Sequence, residues 1–412
     1  MRRMIWYEWK RILKSRLTQM AVIGCGLLLI FCSGSNIWAL SEVDENGNIV
    51  NGLEAAALSK EQRPQTVLDQ ETVDEYVETY LRYTDDPGTS SDDRELYYLS
   101  EEIYLTWFLP NRDILRTIDM IYSVPGQENA TMKENFTHSR GKDFYEARKE
   151  KVQENLSLAE DKNWITPSEA DWWNVKDDEV GEYTTGYAEG WRMLIYSISW
   201  GVIIMMAVCI GISPVFAGEY QTKCDSILLC MRYGKNRLVL AKIIASILHA
   251  TILYWGLTIM YTGIHLGALG IDGWNLPIQS HYSDPSISYD LTVLEAYGLA
   301  LLMGYVMTLG LTGFVLLVSS LLKNPYGVII TAFATLCVPL FLSMGRGGYL
   351  YKHLLGLLPE KIDTFGFDYY LVYRVGGLTL TWPVAAIIVN GICAVILSCF
   401  AYRSFRRHQV NK

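Results

Sequence analysis

The sequence predicts an all-α polytopic membrane protein with six transmembrane helices, an in-plane N-terminal helix and a mostly helical extracytoplasmic domain. Three observations carry that prediction. The 412 residues are 50% hydrophobic and 19% charged, with a mean hydropathy of +0.14, whereas a soluble chain carries roughly a quarter charged residues. The apolar residues gather in six runs, at 20–40, 193–216, 239–266, 299–322, 328–343 and 383–400. About 20 apolar residues span the hydrocarbon core as a helix, and a helix satisfies its own backbone in lipid. The long stretch 41–190 between the first two runs is acidic and rich in aromatic residues, which suits a folded domain outside the bilayer. The chain thus divides into 1–40, 41–190 and 191–412.

At the N-terminus, Met4, Ile5, Trp6, Trp9, Ile12, Leu13 and Leu17 recur at helical spacing with Arg and Lys between them. Such a pattern suits a helix lying among the headgroups before the chain turns into the first span; the alternative is a plain cationic flank. The first run exceeds the core of a signal peptide, and Phe31 is too bulky to precede a lipoprotein cysteine at Cys32.

The 41–190 segment holds 34 acids against 14 bases. Glu71 to Tyr83 and Glu95 to Ile121 show helical periodicity, with Val73, Tyr76, Val77, Tyr80 and Leu81 on one face and Leu96, Leu99, Ile103, Tyr104 and Trp107 on another. Thr166-Pro167-Ser168-Glu169 reads as a capped helix start. Loops are expected at 41–65, 85–93 and 123–140. Acidity either attracts cationic molecules or only keeps the domain soluble. Asn129-Ala130-Thr131 and Asn135-Phe136-Thr137 match the glycosylation pattern without other signs of a secretory setting.

Charge sets the orientation. Arg2, Arg3, Lys10, Arg11, Lys14 and Arg16 face one acid, Glu8, and the tail carries Arg403, Arg406, Arg407 and Lys412 without any acid. Cationic flanks stay cytoplasmic, so both termini belong inside, the span number is even, and 41–190 lies outside. The 217–238 segment, with Lys223, Arg232, Lys235 and Arg237, falls inside, as does the turn at Lys323-Asn324-Pro325; 267–291 and 344–382 fall outside. All eight cysteines lie outside 41–190, so no disulfide staples that domain.

Chemical motifs are absent from the sequence. Gly234-Lys235-Asn236-Arg237 lacks the upstream glycine and the hydroxyl of a phosphate-binding loop, and there is no HExxH or GxSxG. His249 and His265 fall within the third span, where ionisable groups are functional suspects; neutral imidazoles bonded to a neighbouring helix are the alternative. Glu295 sits at the outer start of the fourth span. Gly263 and Gly267 have the spacing of close helix contacts.

The most informative stretch runs from Phe216-Ala217-Gly218-Glu219-Tyr220-Gln221-Thr222-Lys223 through Ile227-Leu228-Leu229 to Arg232-Tyr233-Gly234-Lys235-Asn236-Arg237 and Lys242. It resembles the loop between spans two and three of type-2 ABC export permeases, where a span ends in Phe and a loop Glu, a short Leu-rich helix follows, and a basic turn leads to a Lys. The resemblance covers the membrane part and not the large outer domain. It implies that 217–238 couples to a separate ATPase subunit dimer, which holds the ATP and Mg; no cofactor is expected in this chain. The coupling residues are then Glu219, Tyr220, Lys223, Asp225, Ile227, Leu228, Leu229, Arg232, Arg237 and Lys242. A short helix with Ile227, Leu228 and Leu229 on one side docks into a groove on the partner, with Glu219, Lys223 and Asp225 fixing register. Lys242 is expected either to take part or to snorkel to the inner headgroups.

The resemblance also implies a second permease chain, and short re-entrant helices between the last two spans at an outer gate. The segment 345–358, too short to cross and stopped by Pro359, supplies Tyr349, Leu354, Leu355 and Leu358 for that gate; an interfacial helix is the alternative. The resulting expectation is a non-enzymatic permease subunit in a bacterial plasma membrane, contacting lipid and no nucleic acid. Its expected cargo is amphipathic, lipid-like or peptide, including antimicrobial peptides. A membrane-anchored sensor with an extracytoplasmic ligand-binding domain is the alternative of a different class, and an intramembrane enzyme a third.

Overall fold

A computed structural model of the chain describes residues 1–44, 47–123, 130–231, 233–281, 284–364, 367 and 370–407, without the side chains of Asp225, Leu229, Asp363 and Thr364. Helix α1 (Arg2–Lys14) meets α2 (Arg16–Trp38) at Ser15, whose extended backbone separates them. Strands β1 (Ser41–Val43) and β2 (Ile49–Asn51) form an antiparallel hairpin that pairs Glu42 with Val50. Helix α3 (Gly52–Gln62), strand β3 (Thr66–Val67) and α4 (Gln70–Asp85) follow. The hairpin and α3 occupy much of the expected 41–65 loop. That misreading has a physical cause, since α3 shows almost no amphipathic contrast.

Helix α4 buries Val73, Val77, Tyr80 and Leu81 as its periodicity requires, and Asp69 caps it by accepting from the Thr72 amide at 2.9 Å. The second expected helix starts later than its periodicity suggests. Tyr97 and Tyr98 have left-handed backbones (φ 54° and 62°), so Leu96 and Leu99 lie in a turn and Ser100 starts α5 (Glu101–Ile103). A five-residue π-helical stretch, Tyr104–Phe108, leads on to α6 (Leu109–Tyr122). Helix α7 (Met132–Ser139) corrects the expected 123–140 loop. There Asn135 is buried and donates to Asp119 at 2.8 Å, so it does not present an amide for glycosylation; Asn129 lies outside the described residues.

Helices α8 (Phe144–Asp161) and α9 (Pro167–Asp177) complete the segment. The Thr166 amide donates to Glu169 at 2.8 Å, as the capping motif predicts. Strand β4 (Thr184–Thr185) pairs with β3. Two cores divide this region. Val77, Tyr80, Phe108, Ile118, Phe136 and Tyr183 belong to a separate cluster, whereas Val152, Leu156, Ile165 and Trp173 join the core that continues through the long apolar helices. Arg148 locks the seam with bonds of 2.7 and 2.6 Å to Asp177 and one of 3.2 Å to the Ile287 carbonyl.

Helix α10 (Glu189–Tyr196) leads into α11 (Trp200–Ile212) and α12 (Pro214–Gln221), which together form one 22-residue apolar helix. Next come α13 (Asp225–Cys230), α14 (Arg237–Leu269), α15 (Val293–Leu321) and α16 (Pro325–Cys337), the last extended by a 3₁₀ turn, Val338–Phe341. Helix α17 (Tyr349–Leu355), a 3₁₀ segment (Pro359–Thr364), the hairpin β5 (Val372–Val375) and β6 (Leu378–Thr381), and α18 (Trp382–Arg407) end the chain. Among the described residues, five helices are long and apolar enough to cross a membrane: Arg16–Trp38, Trp200–Gln221, Arg237–Leu269, Val293–Leu321 and Trp382–Arg407. Pro325–Phe341, the fifth apolar run of the sequence, is shorter.

Two local solutions hold the bundle. Pro214 has no amide hydrogen, and Ser319 of α15 repairs the ladder around it. The Ser319 hydroxyl accepts from the Phe216 and Ala217 amides at 3.1 and 3.0 Å and donates to the Ser213 carbonyl at 2.7 Å, the kind of rescue an apolar setting requires. Helices α15 and α18 approach closely because Gly313 has no side chain: a Cβ there would lie 2.9 Å from the Ala394 carbonyl oxygen. Gly263 and Gly267 of α14 instead face open space. Glu295 accepts from the Thr292 amide at 2.9 Å and caps the start of α15.

Candidate functional site: a buried charge cluster beneath a surface loop

Helices α1, α12 and α14 converge on four charged side chains. Lys242 lies on the face of α14 turned into the bundle, and Glu219 is on the last turn of α12; each is 1% exposed. The Lys242 ammonium donates to Glu219 Oε1 at 2.7 Å and to Glu8 Oε2 at 2.8 Å. Arg11, one turn beyond Glu8 on α1, donates to the same Glu219 oxygen and lies 3.9 Å from Glu8. Two cations and two carboxylates therefore neutralise one another. That balance is what permits the burial, because an isolated charge would be prohibitively costly there.

Here the structure corrects two expectations. Lys242 does not snorkel to a headgroup layer; it is buried and doubly paired. Glu219 turns inward onto Arg11 and Lys242, so its charge is committed within the chain. Sequence reading missed Glu8 and Arg11 as partners. The available signal was a single acid in an otherwise basic helix, one turn from Arg11.

Beside the cluster lies a cavity of about 670 Å³ lined by Tyr7, Lys10, Arg11, Lys14, Gly218 and Pro325, among others. The following loop carries the remaining coupling candidates. Tyr220 is buried, donates to the Ser320 carbonyl at 3.0 Å and stacks 5.6 Å from Phe405 of α18. Lys223 is exposed with a left-handed backbone (φ 57°), which ends α12 and redirects the chain. On α13, Ile227 is 67% exposed and Leu228 half-buried; the side chains of Asp225 and Leu229, and all of Arg232, lie outside the described residues. Arg237 is exposed, with its guanidinium 4.7 Å from the Tyr233 ring. A Cβ at Gly234 would fall 1.6 Å from the Leu228 carbonyl oxygen, so the basic turn folds tightly on α13 and requires glycine there. An apolar side chain is thus presented outward on a short helix whose base is fixed by the buried charges.

At the opposite end of the long helices, the candidate gate segment caps the bundle. Tyr349 donates to Glu169 of α9 at 2.9 Å, and the Lys352 ammonium sits 3.8 Å from the Trp164 ring. His353 bonds the Val372 carbonyl at 3.0 Å. Leu355 is buried, Leu358 half-buried and Leu354 exposed. Pro359–Thr364 then turns back among α11, α15 and α16. Ile362 is 1% exposed, and the buried Lys361 donates to the Pro339 and Leu342 carbonyls at 3.1 and 3.0 Å while pairing with Glu360 at 3.0 Å.

The two histidines of α14 behave as core groups. His265 bonds the Tyr261 carbonyl at 3.0 Å, and His249 packs against Gly211. Among the described residues no three His, Cys, Asp or Glu side chains cluster as a metal site.

A family model described as "ABC-2 family transporter protein" matches residues 18–362. No curated protein and no solved structure matches the chain.

Proposed function

The chain belongs to the ABC-2 transporter family, and from that premise we propose that it is the permease subunit of an ABC exporter whose separate ATPase docks on the 217–238 loop. Family membership makes it a multi-pass membrane transport subunit that works with an ABC ATPase rather than a catalyst itself. The finer reading rests on one observation above all. The Glu8–Arg11–Glu219–Lys242 cluster joins α1, α12 and α14 into one unit, and its Glu219 stands on the last turn of α12, which leads directly to α13 and exposed Ile227. A partner that grips α13 through an apolar contact then moves three helices together, because breaking the cluster would strand buried charges.

In this reading ATP and Mg act in the ATPase dimer, and a second permease chain completes the pathway. Both termini and the 217–238 loop are cytoplasmic, by the cationic flanks, and 41–190 is extracytoplasmic in a bacterial plasma membrane. Tyr349, Leu354, Leu355 and Leu358 belong to the outer end of the path, where Pro359–Thr364 dips between the spans. The cargo is amphipathic, lipid-like or peptide.

The experiment is affinity purification of the tagged full-length chain from native membranes, followed by identification of its partners and transport assays in vesicles. Recovery of a protein with a phosphate-binding loop, together with ATP-dependent transport, supports the proposal. Recovery of a kinase or regulator, with no ATPase, would instead favour a sensor with an external ligand-binding domain.

A further inference from the structure

The seam between the 41–190 region and the apolar bundle contains a second cavity, of about 280 Å³. Its walls come from the 62–66 linker, α6, Arg192 and Tyr196 of α10, and Ser280, His281 and Pro285, so it lies beside the end of α10, which leads into the long helix Trp200–Gln221. The 41–190 segment carries 34 acids and 14 bases, yet the cavity is lined by Arg63, Arg116 and Arg192 beside one carboxylate, Asp113; Glu42 and Glu189, outside the lining, pair with Arg63 and Arg192.

These three arginines are not equivalent. Arg63 is committed, at 2.6 Å to Glu42, 3.0 Å to Glu189 and 3.3 Å to Asp113. Arg192 gives its Nε and one terminal nitrogen to Glu189, at 3.0 and 2.7 Å, which leaves the other terminal nitrogen as a donor. Arg116 is exposed at the mouth and donates no hydrogen bond to a described protein group. Facing them is His281, which is 8% exposed. Its Nε2 meets the Gly186 carbonyl at 3.0 Å, and a carbonyl only accepts, so that nitrogen carries the proton. Nδ1 is then a bare acceptor, and it has no partner. An unsatisfied buried acceptor is destabilising unless something donates to it. Tyr76, Ile114, Met120 and Tyr196 supply apolar wall around these polar groups.

A ligand that answers all three features carries anionic oxygens for two guanidiniums and a hydroxyl for the imidazole. We propose that this cavity is a phosphate-recognition site, taking either free hydrogen phosphate or the glycerophosphate headgroup of a lipid, with Arg116 and Arg192 on the anionic oxygens and His281 Nδ1 accepting from the hydroxyl. Arginine forks suit phosphate geometry, and the volume is at the small end of ligand pockets, enough for a headgroup and not for acyl chains. Half-exposed Tyr196, on the helix that runs into the long apolar span, gives a lipid headgroup a route from the bilayer edge. The site does not depend on the exporter reading, because it is built from groups unconnected to the 217–238 loop.

The test is isothermal titration of the purified full-length chain in a neutral, phosphate-free detergent, with inorganic phosphate and separately with dihexanoyl phosphatidylglycerol. Saturable binding of phosphate supports the site as one for a soluble anion; saturation by the lipid alone supports it as a headgroup site. Arg116→Glu is expected to weaken the binding by about tenfold or more, and His281→Gln, which keeps a donor for Gly186 but carries its acceptor oxygen on the same carbon as that donor and not at the Nδ1 position, to weaken it severalfold. Lys142→Glu, an exposed charge reversal outside the cavity, should leave it unchanged. Melting curves confirm that the variants are folded, which Arg116 at the surface makes a fair demand. Absence of saturation with both probes, or wild-type affinity in folded Arg116→Glu, overturns the proposal.

Discussion

Glu219 shows how far burial changes the meaning of a residue. In the sequence it is one polar group in a basic loop. In the fold it shares its carboxylate between Arg11 and Lys242, and both it and Lys242 are sealed from solvent. Glu219→Gln would leave Lys242 with Glu8 alone and an amide where a full charge belongs. Removing one partner of a buried pair costs about 3–5 kcal/mol, so the variant should melt well below the wild type in detergent. Unchanged melting would show that the cluster contributes little. A charge reversal at Glu219 therefore tests the fold before it tests any docking, and loss of transport in such a variant is not by itself a sign of uncoupling. His281 gives a pH-dependent counterpart. Burial, stronger than the hydrogen bond to the Gly186 carbonyl, lowers its pKa from about 6.5, with Asp113, Glu189 and Arg192 as its charged neighbours. Because the folded pKa is depressed, the unfolded chain takes the proton first. The stability is fully present above about pH 6.5 and declines as pH falls below it toward the folded value. Melting of the wild type in phosphate-free buffer should thus drop more steeply between pH 7.5 and 5.5 than that of His281→Gln; parallel slopes would count against a neutral, buried His281. Asp113 behaves differently. Burial opposes its charge, but Arg63, Arg192 and Arg112 outweigh that cost and hold its pKa below the usual value, so it stays ionised through the same window.

Among the elements, α13 and its supporting turn offer the cleanest separation of docking from folding. Ile227 is exposed and the helix has only six residues, so Ile227→Asp removes an apolar contact surface while burying nothing new. The expected result is unchanged yield and melting with about tenfold or greater loss of ATPase association in a pull-down, as befits an apolar anchor. Retained association would move the docking site elsewhere. The elements also show which sequence signals were dependable. Helix α4 and the capped start of α9 follow from periodicity and from Thr166 and Glu169. The start of α5 does not: a run of spaced apolar residues from Leu96 looks continuous, but the left-handed backbones of Tyr97 and Tyr98 break it. Helices α3 and α7 leave little helical periodicity in the sequence, because one is nearly uniform around its circumference and the other has only eight residues. Tertiary packing, not amphipathic pattern, holds such segments helical.

For the whole molecule, the proposed orientation is open to a direct check. Exposed Cys224 and Cys230 lie on the loop assigned to the cytoplasm, and Ser91 lies in the region assigned to the exterior. A membrane-impermeant maleimide added to intact cells should label Ser91→Cys and reach the two native thiols only after permeabilisation. The reverse pattern would invert the topology. The two cavities, one beside the charge cluster and one at the seam with the 41–190 region, fall on opposite sides of that proposed division.

The sequence by itself determined the long apolar helices, the cationic ends, the acidic intervening segment and the loop that resembles a coupling element. All of these are written in composition and short-range spacing, because membrane insertion and helix periodicity respond to local hydropathy and charge. Only the tertiary structure decided that Glu8, Arg11, Glu219 and Lys242 form one neutral cluster, that Ser319 repairs the backbone at Pro214, and that three arginines and His281 gather in an otherwise acidic region. These partners stand far apart in the chain, and a charged residue shows its partner only when folding removes the water that would otherwise solvate it.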